Sequence, residues 1–300
     1  MDFTGRTVIV TGAGRGLGRA YALEFARRGA AVVVNDLGGA RDGSTASADA
    51  AETVAAEIVA AGGRAIADGG SVTDEAAMEA LVARALDAFG RIDVLVSNAG
   101  ILRDKSFAKM ERGDFDAVVS VHLTGAAILT SKVWNVMREQ GYGRIVYATS
   151  SSGLYGNFGQ SNYGAAKLGL VGLMNTLSKE GAKYDIRVNC IAPVAATRMT
   201  EELFPPEAAA VLAPEKVAPG VVFLASGEAP NGVVLCAGAG VFSVASIAET
   251  PGVHLGSEAS AEDVAAAFDR ICAGDTETLP SSRDQTLKFA RIAIEATKGG

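Results

Sequence analysis

The sequence predicts an α/β fold, a doubly wound parallel sheet of the Rossmann type with about seven strands and a helical C-terminal extension. Two observations lead to this prediction. Short runs rich in β-branched residues alternate with helical segments long enough for crossovers, which is the order of βαβ units with helices on both faces of a sheet. Residues 247–300 continue with helical periodicity only. We therefore divide the chain into a sheet domain, 1–246, and an extension, 247–300.

The composition excludes several classes of protein. Of the 300 residues, 49% are hydrophobic and 20% are charged, as in ordinary globular domains. The net charge of −7 argues against nucleic acid as a partner, because phosphate binding needs a clustered basic surface. The three cysteines are far apart and form no disulfide framework or metal-ligand spacing, so we expect no metal site. We expect neither a membrane span nor a signal peptide, and a cytoplasmic location is the default.

The first strand, residues 6–11, leads into a glycine-rich turn and then a helix over residues 19–28. The turn reads Gly12-Ala-Gly-Arg-Gly-Leu-Gly18. Such a turn between a strand and a helix lets backbone N–H groups and the helix dipole face a pyrophosphate. Glycine-rich turns without a ligand are also common, so the turn alone leaves both interpretations open. The predicted cofactor contacts in the turn are Gly12, Arg15, Gly16, Leu17 and Gly18.

The second strand, residues 30–36, ends in an acid about twenty residues after that turn. The carboxylate of Asp36 can accept hydrogen bonds from an adenosine ribose and repel a 2′-phosphate, which favours NAD over NADP. Arg15 argues the other way, because a guanidinium can bind that phosphate. We give Asp36 more weight, since Leu37 supplies no second cation. The alternative is that Asp36 only caps a loop.

The remaining segments continue the alternation up to the extension. Further helices are predicted over residues 49–61, 74–89 and 112–140, and over a segment that carries Tyr163 and ends at Lys183. Further strands are predicted over residues 64–67, 91–97, 143–150, 186–191 and 232–236. In the extension, residues 261–271 and 287–296 have the pattern of amphipathic helices.

A hydroxyl, a phenol and an ammonium group follow the fifth strand. Ser150 ends that strand, and Tyr163 and Lys167 are four residues apart on one face of the next helix. A nearby cation favours the phenolate, so we expect Lys167 to lower the pKa of Tyr163. Tyr163 can then act as a general acid or base toward a carbinol oxygen that Ser150 holds. Without its context, a tyrosine and lysine at this spacing would only indicate a surface pair on a helix.

The context is the position of these residues relative to the strands. The glycine-rich turn, Asp36, Asn98, Ser150 and Pro193 all fall at the predicted carboxyl ends of strands. Ligands of open α/β sheets bind at that edge. The sequence therefore predicts one shared site for a dinucleotide and a substrate.

The motifs together resemble the short-chain dehydrogenase/reductase family. They are Thr11-Gly-x-x-x-Gly-x-Gly18, Asn98-Ala-Gly100, and Ser150 with Tyr163-x-x-x-Lys167, in matching order over residues 5–240. Segments 34–39, 98–104, 155–160 and 198–200 are similar to the multifunctional-enzyme branch, whose members act on (3R)-hydroxyacyl-CoA esters. The resemblance implies an NAD-dependent oxidoreductase that interconverts a 3-hydroxyacyl-CoA and a 3-oxoacyl-CoA. It also implies a homo-oligomer, either a dimer or a tetramer.

The resemblance also implies roles for individual residues. Tyr163 would be the general acid/base, Lys167 would bind the nicotinamide ribose and tune Tyr163, and Ser150 would orient the substrate oxygen. Asp36 would hold the ribose diol. The remaining cofactor contacts would be Asn98, Ala99 and Gly100 on the adenosine side, and Pro193 and Thr197 at the carboxamide, with Tyr163 and Lys167 also touching the cofactor.

Three residues depart from the wider family. His122 stands where the family usually has the asparagine of a proton relay, and a relay member and a buried core histidine are both open interpretations. Val194 replaces a glycine after Pro193, and Ser97 replaces an asparagine before Asn98.

Alternative functions also remain open. They are a hydroxysteroid or steroid side-chain acyl-CoA dehydrogenase, an NADP-linked 3-oxoacyl reductase, and a non-catalytic dinucleotide-binding scaffold. A basic segment after the fourth strand offers cations for coenzyme A phosphates. Its cations are Arg103, Lys105, Lys109 and Arg112. We favour a solvated basic loop there and leave these residues out of the predicted site.

Overall fold

The computed structural model describes residues 1–40, 42–44, 49–196 and 211–298. These residues belong to two units, Met1–Val244 and Ala245–Gly300. The first unit holds the sheet and its flanking helices. The second unit holds two helices joined by extended segments.

Within the described part of the chain, eight strands form a single sheet. They are β1 (Thr7–Thr11), β2 (Ala31–Asn35), β3 (Arg64–Asp68), β4 (Val94–Ser97), β5 (Gly143–Ala148), β6 (Ile186–Pro193), β7 (Val234–Gly238) and β8 (Val241–Ala245). Their spatial order is β3-β2-β1-β4-β5-β6-β7-β8, and β1 to β7 pair in parallel. The order reverses between β1 and β4, which is the switch point where ligands bind in doubly wound sheets. The predicted fold class is confirmed.

The central strands are buried along their whole length because helices cover both faces of the sheet. Every residue of β1, β2 and β5 is buried. The side chains of Val8, Ile9 and Val10 have no exposed surface at all. This burial is why these strands appear in the sequence as continuous apolar runs rather than as alternating ones.

The eighth strand was not expected. A two-residue turn joins β7 to β8, and both turn residues have positive φ, 52° at Ala239 and 79° at Gly240. Positive φ at both central residues is the geometry of a type I′ hairpin, so β8 runs antiparallel to β7 at the sheet edge. Sequence patterning missed β8 because Val241, Phe242 and Val244 are exposed, so the strand lacks a buried face.

The helices of the first unit follow the predicted alternation. They are α1 (Gly16–Arg27), α2 (Asp49–Ala60), α3 (Glu75–Phe89), α4 (Arg112–Val119), α5 (Gly125–Gln140), α6 (Ser151–Tyr155), α7 (Ser161–Gly181) and α8 (Ala218–Leu224). Short 3₁₀ turns cover Phe107–Lys109, Ala182–Tyr184 and Pro214–Lys216. The helix predicted over 112–140 is present, but a π-helical turn at Ser120–Thr124 separates α4 from α5. Helix α6 lies between the predicted fifth strand and the predicted helix that carries Tyr163, where no helix was predicted.

The continuous helix Arg112–Gln140 has 29 residues and is long and apolar enough to cross a membrane by those two criteria alone. Its position in the fold accounts for that composition. Leu129, Val133 and Met137 are buried, and Met137 packs on Gly143 of β5, where an added Cβ would lie 2.6 Å from the Met137 sulfur. The apolar residues therefore cover the sheet.

The second unit contains α9 (Ala261–Cys272) and α10 (Ser282–Lys298). Ser260 begins α9 with a capping box, because its side chain bonds the Asp263 amide while the Asp263 carboxylate bonds the Ser260 amide. The Nζ atom of the buried Lys288 lies 3.1 Å from a carboxylate oxygen of Glu249 and 3.1 Å from one of Glu277. It also donates to the Thr250 carbonyl at 2.6 Å. This cluster fixes α10 to the extended segments of its own unit.

Candidate active site

The turn between β1 and α1 is shaped by glycines that approach other backbone closely. A Cβ added to Gly18 would lie 2.1 Å from the Gly12 carbonyl oxygen, and one added to Gly12 would lie 2.8 Å from Cα of Ala99. Arg15 is the N-cap of α1, and its side chain makes no capping hydrogen bond within the described chain. The first turn of α1 therefore keeps backbone N–H groups available for an anionic ligand, as a pyrophosphate needs.

Asn98 connects this turn to the end of β4. Its side-chain nitrogen donates to the carbonyl of Thr11 at 3.0 Å and to that of Gly12 at 3.2 Å. The hydroxyl of Thr11 in return accepts hydrogen bonds from the amides of Asn98 and Ala99, both at 3.0 Å. Asn98 therefore holds the glycine-rich turn in shape, and Ala99 and Gly100 line the cavity beside it.

Asp36 follows β2 and is half-buried at the edge of the same cavity. One carboxylate oxygen accepts from the Gly14 amide at 2.8 Å, and the other accepts from the Gly38 amide at 2.6 Å. A carboxylate oxygen has two acceptor positions, so each oxygen keeps one for a ligand hydroxyl. Asp36 therefore caps the loop, as the alternative interpretation expected, and the same hydrogen bonds orient its carboxylate in the cavity wall.

These residues line a cavity of about 440 Å³, a size typical of cofactor sites. Nine of the predicted cofactor residues contribute to its wall, namely Gly12, Arg15, Gly16, Leu17, Gly18, Asp36, Asn98, Ala99 and Gly100. The wall also includes residues that the sequence reasoning missed, which are Gly70, Ser71, Val72 and Thr73 after β3 and Ala117, Ser120 and Val121 around the end of α4. The strand-end rule applied to β3 would have found the first group. The glycine turn, the free helix terminus and the oriented carboxylate fit a dinucleotide.

Ser150 and Tyr163 are brought together as predicted. Ser150 lies just after β5 as the N-cap of α6, where its hydroxyl accepts from the Ser152 amide at 3.2 Å. Tyr163 lies in the first turn of α7. Burial raises the pKa of Tyr163, and a hydrogen bond with the Ser150 side chain offsets part of that effect. The phenol is therefore protonated in the ligand-free protein.

Lys167 is 4% exposed and lies below the phenol on the same face of α7. Its Nζ atom is 5.4 Å from the centre of the Tyr163 ring and donates to the Ala148 carbonyl at 2.5 Å. Burial lowers the pKa of Lys167 to about 7. The expectation that Lys167 lowers the pKa of Tyr163 was therefore wrong for the ligand-free protein. Lys167 is buried and Tyr163 half-buried, and loss of contact with water disfavours the charged form of each.

Asn162 fixes the start of α7 and was missed by the sequence reasoning. Its side chain is completely buried and donates to the carbonyls of Arg103 at 3.1 Å and Asp114 at 3.3 Å. Its side-chain oxygen accepts from the Tyr163 amide at 2.7 Å. Tyr163 is thereby tied to the segment after β4. No signal in the sequence indicates this role, because the burial of Asn162 and its partners exist only in the folded chain.

The other predicted residues lie as follows. Pro193 ends β6, next to Val194, whose amide donates to the Ala237 carbonyl at 2.8 Å. Pro193 does not line the cavity described above, and Thr197 lies outside the described residues, as does the segment 198–200.

The basic segment after β4 carries its own counterions. The guanidinium of Arg103 is 3.5 Å from the Asp114 carboxylate, and Lys105 is 2.7 Å from the same group. Arg112 pairs with Asp116 at 2.5 Å. These ion pairs account for three of the four cations in this segment without any phosphate ligand. Arg103, which was left out of the predicted site, nevertheless lines the cavity.

Residues 6–208 match the family model for short chain dehydrogenases. The chain belongs to the short-chain dehydrogenase family. The resemblance found in the motifs is confirmed, and this short-chain dehydrogenase is an oxidoreductase.

Relatives of this short-chain dehydrogenase include bacterial and peroxisomal proteins. It is 52% identical to a short-chain type dehydrogenase/reductase of Mycobacterium tuberculosis, over 89% of this chain and 93% of that protein. It is 44% identical to peroxisomal multifunctional enzyme A of Dictyostelium discoideum, over 99% of this chain and 66% of that protein. The chain thus covers a part of the multifunctional relative and almost all of the mycobacterial one.

Solved structures agree with this relationship. The full-length peroxisomal multifunctional enzyme type 2 of Drosophila melanogaster matches with a TM-score of 0.85 and 34% identity, over 100% of this chain and 51% of that chain. A 7α-hydroxysteroid dehydrogenase in complex with NADH and 7-oxo glycochenodeoxycholic acid matches with a TM-score of 0.72 and 30% identity, over 80% of this chain and 95% of that chain. Together with the family assignment, this neighbour indicates a nicotinamide dinucleotide as the cofactor.

Proposed function

We propose that this short-chain dehydrogenase interconverts a 3-hydroxyacyl-CoA of (3R) configuration and the corresponding 3-oxoacyl-CoA, with NAD as its cofactor. The observation that carries the proposal is the set Ser150, Tyr163 and Lys167, assembled after β5 on the edge that also bears the dinucleotide cavity. The choice of substrate draws on the similarity to multifunctional enzymes, which extends over 99% of the chain. Self-association stays a prediction.

Tyr163 is the proposed proton-transfer group. In the reducing direction its phenol donates a proton to the substrate carbonyl oxygen, and in the oxidising direction the phenolate takes the hydroxyl proton back. Ser150 already bonds the phenol and so holds the substrate oxygen against it. Lys167 in its charged form stabilises the phenolate. When bound, the nicotinamide supplies or accepts the hydride at C3.

NAD is proposed over NADP because of Asp36. Two backbone amides orient its carboxylate toward the cavity, where it can bind a ribose diol and repel a 2′-phosphate. Arg15 also lines the cavity, but its side chain is exposed, and Leu37 after Asp36 adds no second cation at this point. Charge repulsion by the fixed carboxylate is the stronger discriminator.

Three exposed aromatic side chains suggest how an apolar substrate is received. Phe107, Tyr155 and Phe158 are 77%, 75% and 90% exposed. The Lys105 amide donates to the Gly159 carbonyl at 2.9 Å, and this bond joins the segment that holds Phe107 to the segment that holds Tyr155 and Phe158. The second segment lies between Ser150 and Tyr163 in the chain. Covering such exposed aromatic rings with an apolar group is favourable, because it removes apolar surface from water. We propose that these three residues, the aromatic rim, contact the acyl chain.

The test is a substrate panel with the purified protein. NADH or NADPH formation is followed with (3R)- and (3S)-hydroxyacyl-CoA esters, free hydroxy acids and hydroxysteroids. The proposal expects turnover of the (3R)-CoA esters with NAD and little with NADP. Activity on hydroxysteroids while CoA esters are inert would favour a second candidate, a hydroxysteroid dehydrogenase. This candidate is suggested by the structural similarity to the 7α-hydroxysteroid dehydrogenase.

A further inference from the structure

Arg103 is a half-buried arginine in the wall of the dinucleotide cavity, on the segment that follows β4. Its side chain keeps 34% of its surface exposed, whereas that of Arg112, further along the same segment, keeps 87%. A guanidinium carries five hydrogen-bond donors, and enclosing it costs free energy unless those donors find partners. The contacts of Arg103 therefore show what holds it at this wall.

Another part of the wall is a turn that follows Asp36 in the chain, called here the wall turn and made of residues 40 and 42–44. The Ala40 amide donates to the Ser44 carbonyl at 2.7 Å, and the Gly43 amide donates to the Ala40 carbonyl at 3.0 Å. The amide and the hydroxyl of Ser44 both donate to one carboxylate oxygen of Asp42, at 2.9 Å and 2.7 Å. These internal hydrogen bonds make the wall turn a compact unit.

Arg103 bonds the main chain of the wall turn. Its Nε atom donates to the Asp42 carbonyl at 3.0 Å. Beside this bond, Gly43 packs on Ile101, because an added Cβ would lie 3.2 Å from Cγ2 of the isoleucine. Ala40, Gly43, Ile101 and Arg103 all line the cavity. The two contacts therefore join two parts of the cavity wall that lie about sixty residues apart in the chain.

The remaining contacts of Arg103 fix it to the helices of the sheet domain. Its Nη1 atom lies 3.5 Å from the Asp114 carboxylate, which belongs to α4. Its backbone carbonyl accepts from the Asn162 side chain at 3.1 Å, and Asn162 in turn accepts from the Tyr163 amide. Arg103 is thus held by α4 and α7 while it holds the wall turn.

We propose that Arg103 is a positioning residue that ties the wall turn to the segment after β4 and so slows release of the bound dinucleotide. Asp36 bonds the Gly38 amide just before the wall turn, so the tie acts at the adenosine end of the cavity. In this respect the inference rests on the proposed function, because it takes Asp36 as the adenosine contact. Product release sets the turnover rate of many enzymes, and Arg103 would act on that step.

The experiment compares Arg103→Met with Arg103→Lys and Lys105→Met. Methionine removes every donor, whereas lysine keeps a cationic donor that can reach the Asp42 carbonyl. Lys105→Met is the matched control, because Lys105 pairs with the same Asp114 carboxylate as Arg103 but does not line the cavity. Stopped-flow fluorescence measures association and dissociation of NADH without any substrate. NADPH replaces NADH if the parent protein binds NADPH more tightly.

The proposal expects the dissociation rate constant of Arg103→Met to rise about 10-fold, the size of effect expected from losing one hydrogen bond with a charged donor. Arg103→Lys should restore most of the parental value, and Lys105→Met should match the parent protein. A dissociation rate constant reports only on protein that has bound the dinucleotide. Partial unfolding of a variant therefore does not mimic the expected result.

Parental dissociation in Arg103→Met, an equal rise in Lys105→Met, or an Arg103→Lys variant as fast as Arg103→Met would overturn the proposal. Slower association with parental dissociation would also overturn it, because Arg103 would then act by attracting the dinucleotide phosphates. Measurements at low and high salt identify such attraction, which salt screens. The test uses no alcohol, so an incorrect CoA assignment or an incorrect choice between NAD and NADP would not change its result.

Discussion

The ammonium of Lys167 lies 5.4 Å from the centre of the Tyr163 ring, and on their shared face of α7 the lysine is buried and the tyrosine half-buried. The same burial has opposite effects on their pKa values, because it disfavours an anionic phenolate and a cationic amine alike. The pKa of Tyr163 is raised, and that of Lys167 is lowered to about 7. In the ligand-free site the phenol therefore keeps its proton, and the ammonium loses its proton at a lower pH than an exposed lysine does.

The lowered pKa of Lys167 predicts a pH dependence of stability. The unfolded lysine stays protonated from pH 7 to 9, whereas the folded one loses its proton as the pH passes its pKa of about 7. The unfolded state then binds more protons, so the free energy of unfolding rises with pH, by about 2 kcal/mol between pH 7 and about 9.

Lys167→Met should lack this rise, which urea unfolding at several pH values would show. The parent protein and the variant are compared at each pH, because the buried Cys190 and Tyr147, whose pKa values burial raises, oppose the trend in both proteins where their unfolded forms titrate, for a cysteine from about pH 8. An equal slope in the parent protein and the variant would assign the rise to other groups.

Replacement of Asp36 should relax the cofactor preference. Asp36→Asn keeps an oxygen for one of the two amides but removes the charge that repels a 2′-phosphate. We expect the preference for NAD over NADP in kcat/KM to fall by about 10-fold, or ~1.4 kcal/mol. Asp36→Ala should do the same and also lose stability, because it releases both backbone amides. Unchanged discrimination in both variants would contradict the NAD assignment.

Gly18→Ala should disrupt the cofactor turn. Its Cβ would lie 2.1 Å from the Gly12 carbonyl oxygen, a backbone atom that cannot rotate away. We expect a loss of ~1–3 kcal/mol in stability and weaker NADH binding. Gly172→Ala in α7 is the matched control, since no described atom lies within 4 Å of its added Cβ.

The control should raise stability by up to ~1 kcal/mol, because alanine favours a helix over glycine. Thermal melting and NADH titration of both variants measure the difference. If the Gly18→Ala variant is as stable as the Gly172→Ala variant and binds NADH with parental affinity, the turn has room for a Cβ beside the Gly12 carbonyl and the prediction is wrong.

The aromatic rim predicts an effect that depends on substrate length. Phe158→Ala should leave stability within ~0.5 kcal/mol of the parent, because the side chain is 90% exposed. It should raise KM for long-chain substrates, with little change for the shortest ester, because only a long chain covers the ring. Leu168→Ala, which removes another exposed apolar side chain, from α7, is the control. Equal KM changes for all chain lengths would argue against the rim.

The sequence predicted which residues the fold brings to the carboxyl edge of the sheet. Asp36, Asn98 and Ser150 were identified because the topology of a parallel sheet places strand ends on one edge, whatever the packing is. Asn162 was missed because its partners are the carbonyls of Arg103 and Asp114, contacts that exist only after folding. The pKa of Tyr163 was predicted in the wrong direction, since spacing along a helix reveals a neighbouring charge but not the depth of burial.

Tyr163→Phe tests the central claim most directly. The variant removes one hydroxyl and keeps the ring that packs against His122 and Lys167. With NAD and a (3R)-hydroxyacyl-CoA, we predict that kcat falls by about 10²–10⁴-fold, the contribution of a positioned acid/base, while the Kd for NADH stays near the parental value. A Tyr163→Phe protein that turns over at close to the parental rate would contradict the account, because the proton would then be moved by another group.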